Sequence, residues 1–308
     1  MAFLWWLRNW APSYSLAEEL LLPQWWLDEV EALTEDKPQL IFYGPPGTGK
    51  TFVANRLARS WADAGNVTIV QFHPSYAYED FVQGFRPAAD TEGNVRFELR
   101  DGPLIRLAKK AAESGERCIL LIDEINRANI SKVFGELYYL LEYRDDEIAL
   151  QYGGHFALPE NLQIIGTMNT ADRSIALLDA ALRRRFHFVP FFPDREPIDG
   201  LLRRWLRTNR PDMLFVADVV DRVNELLDDR HLQIGPSHFM TDRLDETTLG
   251  RIWTYSILPY IEEHFFDDPD AVADFALDKL RSEVQAVDAE ADAEKQIDGA
   301  VAAAANSS

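Results

Sequence analysis

Gly44, Pro45, Pro46, Gly47, Thr48, Gly49, Lys50 and Thr51 follow one another, and Gly, any four residues, Gly-Lys-Thr is the pattern of a loop that cradles phosphate groups. Its surroundings support that chemistry. Residues 38–43, Pro-Gln-Leu-Ile-Phe-Tyr, read as a buried strand, and Phe52 to Ala62 read as a helix. A glycine-rich turn between the two aims successive backbone N–H groups at a polyphosphate, and the helix N-terminus adds its dipole. Lys50 is then positioned to reach the β- and γ-phosphates, and the Thr51 hydroxyl to hold Mg2+. The alternative, a Gly-Pro turn joining strand to helix, leaves the full match in this frame unexplained.

A second cluster is acidic. Cys118-Ile-Leu-Leu-Ile122 reads as a buried strand that delivers Asp123 and Glu124 to its C-terminal edge. In that position Asp123 would complete the Mg2+ shell, and Glu124 would orient or deprotonate an attacking water. An ordinary strand end is the alternative. A third run, Leu162-Gln-Ile-Ile-Gly-Thr-Met168, ends in Asn169, whose amide can pin that water against a γ-phosphate or simply cap the strand. The fourth is Leu182, Arg183, Arg184, Arg185 and Phe186, at a helix end just before a strand. One or two of these arginines are candidate fingers for a neighbouring subunit's γ-phosphate. Capping of the helix C-terminus by cations is the other reading, and both roles can coexist.

The elements that must carry these groups follow from hydrophobic pattern. Over residues 38–193, apolar runs alternate with helical patterns, which predicts an α/β domain with a parallel sheet and crossover helices. The expected strands are Leu40–Tyr43, Val67–Phe72, Cys118–Ile122, Gln163–Thr167 and His187–Phe191, with a β-hairpin around Gly153 and Gly154 inside residues 147–159. Residues 194–280 lose the strand pattern and read as amphipathic helices, among them Pro197–Arg207, Ala217–Asp228 and Thr247–His264. Residues 1–37 form a short Trp-rich helical extension. There Trp5, Trp6 and Trp10 suit core or subunit contact better than base stacking. Residues 281–308 are acidic and Ala-rich, a helix expected to run into a disordered tail.

Composition narrows the partners. A net charge of −20 in 308 residues argues against a broad duplex-DNA footprint, which needs clustered Lys and Arg. The single cysteine, Cys118, excludes a disulfide framework and a cysteine-based zinc site, and suits a reducing cytoplasm. The N-terminal run lacks a basic start, and Arg8 interrupts it too early for a signal peptide; no other stretch is long enough to cross a bilayer.

The four clusters, in this order, resemble an AAA+ NTPase. The runs 71–84, 123–129, 132–137 and 166–174, the last reading Gly-Thr-Met-Asn-Thr-Ala-Asp-Arg-Ser, make the chain similar to the McrB family over roughly residues 38–270. Residues 233–240 and 265–269 fit as well. That family supplies the GTP-hydrolysing motor of modification-dependent restriction systems. The resemblance implies an AAA+ core with a smaller C-terminal helical lid, and a hexameric ring with nucleotide at each subunit interface. It also implies Mg2+, GTP or ATP as substrate, a McrC-like nuclease partner, and DNA engaged through the complex. Asn169 falls on the family's sensor position, Asp172 and Arg173 on its interface loop, and Arg183 and Arg184 on its trans-acting arginines.

Two departures limit that transfer. McrB proteins commonly carry an N-terminal DNA-recognition domain, whereas 37 residues precede the core here, so target reading would fall to another chain or the chain is a shortened form. The lid segment Gly235-Pro236-Ser237-His238 offers no arginine for nucleotide sensing, a lack the family shares, and Arg243 is the nearest candidate. In the 147–159 hairpin, Tyr152, His155 and Phe156 are candidates for contact with DNA or a McrC-like stalk, or for packing on their own domain. His73 and Tyr76 fall near the expected nucleotide face, with a packing role favoured for His73. No Asn-Lys-x-Asp guanine signature is present, so GTP rests on the resemblance alone. A MoxR-like ATPase that remodels protein complexes is the competing reading.

Overall fold

The computed structural model describes residues 15–89, 95–171 and 180–287, which divide into two compact units. The first unit is built on a parallel sheet. In chain order its elements are helices α1 (Leu16–Leu20) and α2 (Gln24–Asp36), strand β1 (Gln39–Gly44), helix α3 (Lys50–Trp61) and strand β2 (Val67–Gln71). Helix α4 (Tyr78–Phe81), strands β3 (Gln83–Ala89) and β4 (Val95–Asp101), helix α5 (Pro103–Ser114) and strand β5 (Cys118–Asp123) follow. Helices α6 (Ile130–Phe134) and α7 (Leu137–Leu140) precede the short strands β6 (Ile148–Ala149) and β7 (His155–Phe156). Strand β8 (Leu162–Asn169), helix α8 (Ala180–Arg185) and strand β9 (His187–Pro190) complete the unit.

The five long strands lie in the order β2-β5-β8-β1-β9, every neighbouring pair parallel. These are the five strands expected from sequence. Parallel strands need crossovers on the sheet faces, and both faces are then covered. Cys118 to Ile122 are accordingly all buried, and each buried Leu or Ile contributes about 1.5–3 kcal/mol relative to exposure. Helix α5 shows how the sequence dictates the covering layer. Pro103 sits in its first turn and Gly115 closes it at φ 67°, while Leu104, Ile105, Leu107, Ala108 and Ala111 form its buried stripe. Helix α2 turns Trp26, Leu27 and Val30 inward, and the Trp26 ring meets Phe191 edge-on at 5.4 Å. Trp5, Trp6 and Trp10 lie outside the described residues.

One feature of this unit was not anticipated. Strands β3 and β4 form an antiparallel ribbon, Phe85 opposite Leu99 and Pro87 opposite Phe97. The 147–159 hairpin does form, as the two short pairs Ile148 with Phe156 and Ala149 with His155.

The second unit is helical, with α9 (Leu201–Asn209), α10 (Phe215–Leu226), α11 (Glu246–Ile252), α12 (Leu258–His264) and a further helix over residues 277–287. Helix α9 begins at Leu201 rather than Pro197 because Gly200, at φ 64°, breaks the backbone there. The single helix expected over 247–264 is interrupted by a π turn at Trp253–Ile257, directly before Pro259, which has no N–H for a regular turn. Trp253 anchors the core of this unit among Phe239, Leu249 and Phe275, and its indole N–H donates to the Phe275 carbonyl at 2.9 Å.

Candidate functional site

The phosphate-binding loop joins β1 to α3, as its pattern predicts. Its first residue must be glycine, because a Cβ on Gly44 would lie 2.0 Å from the Phe191 carbonyl oxygen. Phe191 is fixed in turn by its N–H, which donates to Tyr43 O at 2.8 Å. Gly49, at φ 87°, turns the chain into α3 in a conformation that side-chain-bearing residues rarely adopt. Pro46 and Gly47 span the turn between, and the Thr48 hydroxyl closes it by donating to Pro45 O at 3.1 Å.

Lys50 opens α3 and is 5% exposed. Its Nζ donates to the carbonyls of Gly44 at 3.0 Å and Pro45 at 2.7 Å, and to Thr48 Oγ1 at 3.3 Å. Burial pushes its pKa down to about 8, against the opposing attraction of Glu124 and Asp123. Three oxygen acceptors therefore hold the ammonium at the mouth of the loop.

Strand order determines what sits beside Lys50 and Thr51. Strand β8 lies between β1 and β5, with Gly44 level with Asn169 and Ile122 level with Gly166. The ends of three adjacent strands thus bring Thr51, Asp123, Thr167, Glu124 and Asn169 together. The Thr51 hydroxyl donates to Asp123 Oδ1 at 2.7 Å, and the Thr167 hydroxyl donates to the same oxygen at 2.6 Å. The Glu124 N–H donates to Thr167 Oγ1 at 3.2 Å. Asn169 Nδ2 donates to Glu124 Oε1 at 2.5 Å, and Arg127 Nε lies 3.4 Å from Glu124 Oε2. Asn126, itself buried, donates through Nδ2 to the Asn169 carbonyl at 3.0 Å.

Glu124 has φ 53°, a left-handed backbone that costs a non-glycine residue about 1–3 kcal/mol. Such strain persists only where surrounding bonds over-determine it, and here its amide, its carboxylate and its successor residues are all held. The donor set at this point is hard oxygen: one hydroxyl and one carboxylate. That is the chemistry with which Mg2+ is held when phosphates and waters supply its other ligands. Thr51 and Asp123 fit the ion.

The arginine run has a different location. Helix α8 precedes β9, and β9 starts level with Leu40, at the opposite end of β1 from the phosphate loop. Lys37 Nζ donates to the Arg184 carbonyl at 2.8 Å, fixing that end. From Leu40, level with the start of β9, to Gly44 is four steps of about 3.3 Å, so the helix end that carries the arginines lies about 13 Å or more along β1 from the loop. Arg184 is exposed, with Nη2 donating to Glu142 Oε1 at 3.2 Å, and Arg183 is exposed, its guanidinium over the Phe188 ring at 5.6 Å. Arg185 is different: 12% exposed, 2.8 Å from Glu142 Oε2, and over the Tyr138 ring at 4.6 Å. Asp172 and Arg173 lie outside the described residues.

Several other sequence candidates make packing contacts within their own unit. The Tyr152 hydroxyl donates to Glu79 Oε1 at 2.6 Å, with its ring 5.5 Å from Phe85, and Phe156 is buried in the core. Of that hairpin trio, only His155 is exposed. Tyr76 stacks on Phe72 at 4.8 Å, and His73 meets its edge at 5.3 Å. In the second unit, residues 236–238 form a single 3-10 turn, burial lowers the His238 pKa, and Arg243 is exposed.

Sequence reasoning singled out neither Thr167 nor Asn126 nor Arg127. Thr167 carried a usable signal: on a strand it shares a face with Asn169, two residues on. Asn126 and Arg127 stood inside a run that marked the resemblance and carried no chemistry of their own on paper.

Comparisons with known proteins match stretches of both units. An AAA domain model (dynein-related subfamily) matches residues 39–186, and the model for the McrB alpha-helical lid domain matches residues 216–273. The chain is 38% identical over 286 residues to the Type IV methyl-directed restriction enzyme EcoKMcrB subunit of Escherichia coli (strain K12), covering 83% of this chain and 61% of that protein. It is 29% identical over 189 residues to the Type II restriction enzyme BsuMI component YdiS of Bacillus subtilis (strain 168), covering 48% of this chain and 55% of that one. It is also 24% identical over 281 residues to Neuron navigator 2 of Homo sapiens, covering 81% of this chain and 10% of that protein. The chain thus spans about three-fifths and just over half of the lengths of the first two relatives. No helix among the described residues is long and apolar enough to cross a membrane.

Proposed function

We propose, from the premise that this chain belongs to the McrB family of AAA+ P-loop NTPases, that it hydrolyses a nucleoside triphosphate with Mg2+ as the ring-forming motor of a McrBC-like restriction complex. The observation that carries the reading is the convergence of Thr51, in the first turn of α3, with Asp123, Glu124 and Asn169 on adjoining strand ends beside Lys50. The lid match over residues 216–273 favours it over a MoxR-like remodelling ATPase. GTP is the substrate implied by the family, with ATP the alternative.

In this mechanism the loop amides and Lys50 hold the β- and γ-phosphates. Thr51 and Asp123 hold Mg2+, which supplies charge neutralisation at the phosphate oxygens when bound. Glu124 accepts the proton of the attacking water at its carboxylate, and Asn169 keeps that carboxylate aimed. Arg183 and Arg184 complete the site of the next subunit, since their helix ends at the opposite end of β1 from their own loop. Each subunit then lends arginines in one direction and receives them from the other, the head-to-tail contact that closes rings. Asp172 and Arg173 belong to the same interface. A McrC-like nuclease reads out the nucleotide state, DNA is engaged through the complex, and the setting is cytoplasmic.

Phosphate release from GTP and from ATP, measured in Mg2+ across a protein concentration series, tests this. GTP turnover that rises more than proportionally with concentration supports the reading. Full turnover by a dilute monomer, or no turnover of either nucleotide, refutes it.

A further inference from the structure

We infer that Thr167 is a positioning residue whose single hydroxyl ties the Mg2+-side carboxylate of Asp123 to the backbone of the water-activating Glu124; the inference rests on the proposed NTPase reading of this site. Thr167 is 2% exposed and occupies the strand between the two that bear the loop and the acids. It pairs with Phe42 on β1, and one step before it Gly166 pairs with Ile122 on β5, so its side chain stands beside Asp123.

A hydroxyl has one proton and two lone pairs. Toward Asp123 Oδ1, at 2.6 Å, Thr167 is the donor, because a carboxylate only accepts. Its lone pair therefore remains for the Glu124 N–H at 3.2 Å. The proton is committed to one side and the lone pair to the other, and both bonds hold one residue of the acidic pair.

Two consequences follow. Thr51 donates to the same Asp123 oxygen at 2.7 Å, so Oδ1 receives two hydroxyl protons. Among the described residues Oδ2 receives none, which leaves it for the cation. The Glu124 amide, meanwhile, belongs to a residue at φ 53°. Without an acceptor for that N–H, the strained backbone is free to relax, and the Glu124 carboxylate moves with it. Loss of the hydroxyl should therefore disturb cation binding and water activation together, while leaving the phosphate loop intact.

Thr167→Val removes the hydroxyl at nearly constant volume, and Thr167→Ser keeps it. Dissociation constants for GTP and for ATP are measured in EDTA and in Mg2+, alongside kcat and KM. For the valine variant, binding in EDTA is expected to stay within about threefold of the unmodified chain. The tightening produced by Mg2+ should shrink, KM in Mg2+ should rise in step with it, and kcat should fall about 10- to 100-fold. Serine should restore all three to within about threefold. If valine does not fold, Thr167→Ala carries the same test. Unaltered Mg2+ tightening and kcat in the hydroxyl-free variant overturn the inference, as does a serine variant as impaired as valine. If the unmodified chain binds but does not hydrolyse either nucleotide, the proposed function fails, and the Mg2+ tightening alone still decides the part played by Thr167.

Discussion

The Asn169 amide donates to the Glu124 carboxylate at 2.5 Å although the two residues stand 45 positions apart in the chain. The contact exists because β8 is inserted between β1 and β5, and it fixes the direction of the Glu124 carboxylate. Asn169→Ala should lower kcat about tenfold to hundredfold with nucleotide affinity nearly unchanged, since a hydrogen bond to a charged group is worth about 1.5–3 kcal/mol. Glu124→Gln should lower kcat about 100- to 10,000-fold and trap bound nucleotide. Equilibrium binding beside single-turnover phosphate release checks both, and a loss of affinity in step with kcat would contradict the assignment.

Nucleotide affinity should depend on pH through Lys50. Burial holds its pKa at about 8, and a bound polyphosphate raises it. Below pH 8 the ammonium is already formed and affinity is flat. Above it, binding must take up a proton, so affinity falls with rising pH by at most about tenfold per unit. Calorimetry in buffers of different ionisation enthalpy should register proton uptake that grows as pH rises above 8 and is lost in Lys50→Arg. Lys50→Ala should abolish binding.

Arg183 and Arg184 lie at the far end of β1 from their own loop. Replacing either with alanine should spare binding and lower turnover about 1,000-fold or more. Mixing an inactive Arg183→Ala chain with an inactive Glu124→Gln chain should recover part of the activity, because a mixed ring contains interfaces with both groups intact. Mixtures as inactive as their components would exclude sharing between subunits.

Arg185 should behave as a structural residue. It is 12% exposed, ion-paired with Glu142, and its carbonyl accepts from Gln39 Nε2 at 2.7 Å. Arg185→Ala should cost about 2 kcal/mol in urea unfolding, with its turnover deficit following the unfolded fraction. A variant as stable as the parent but inactive would move Arg185 into the catalytic set.

Gly44→Ala should fail to form the loop. Its added methyl would meet the Phe191 carbonyl oxygen at 2.0 Å, a backbone atom held by its neighbour and unable to withdraw. Loss of nucleotide binding together with a lowered melting temperature is expected. Wild-type affinity would show that β1 and the segment after β9 can separate.

Much of this site was legible in one dimension because its parts are local. A strand, a glycine turn and a helix follow one another from Gln39 to Trp61, and each has its own short-range cause. The β3–β4 ribbon was missed, although Val95, Phe97 and Leu99 alternate with Arg96, Glu98 and Arg100 in plain period two. Gly84 and Pro87 weaken the strand pattern of its partner, and the ribbon leaves Phe85 and Phe97 exposed, so no burial pattern marked it. Helix ends shifted for equally specific reasons, a left-handed Gly200 in one case and the missing N–H of Pro259 in another.

By itself the sequence marked which groups are candidates for phosphate chemistry: the loop, the acidic pair, the terminal amide and the arginine run. Residue type and spacing within a few positions suffice for that, since turns, caps and strand ends are set by neighbours along the chain. The tertiary structure alone decided which of these groups meet. Lateral strand order arises from crossovers packing on both sheet faces, and no local period encodes it. That order makes Thr167 the bridge between Asp123 and Glu124, and sets Arg183 at the opposite end of the sheet from its own phosphate loop.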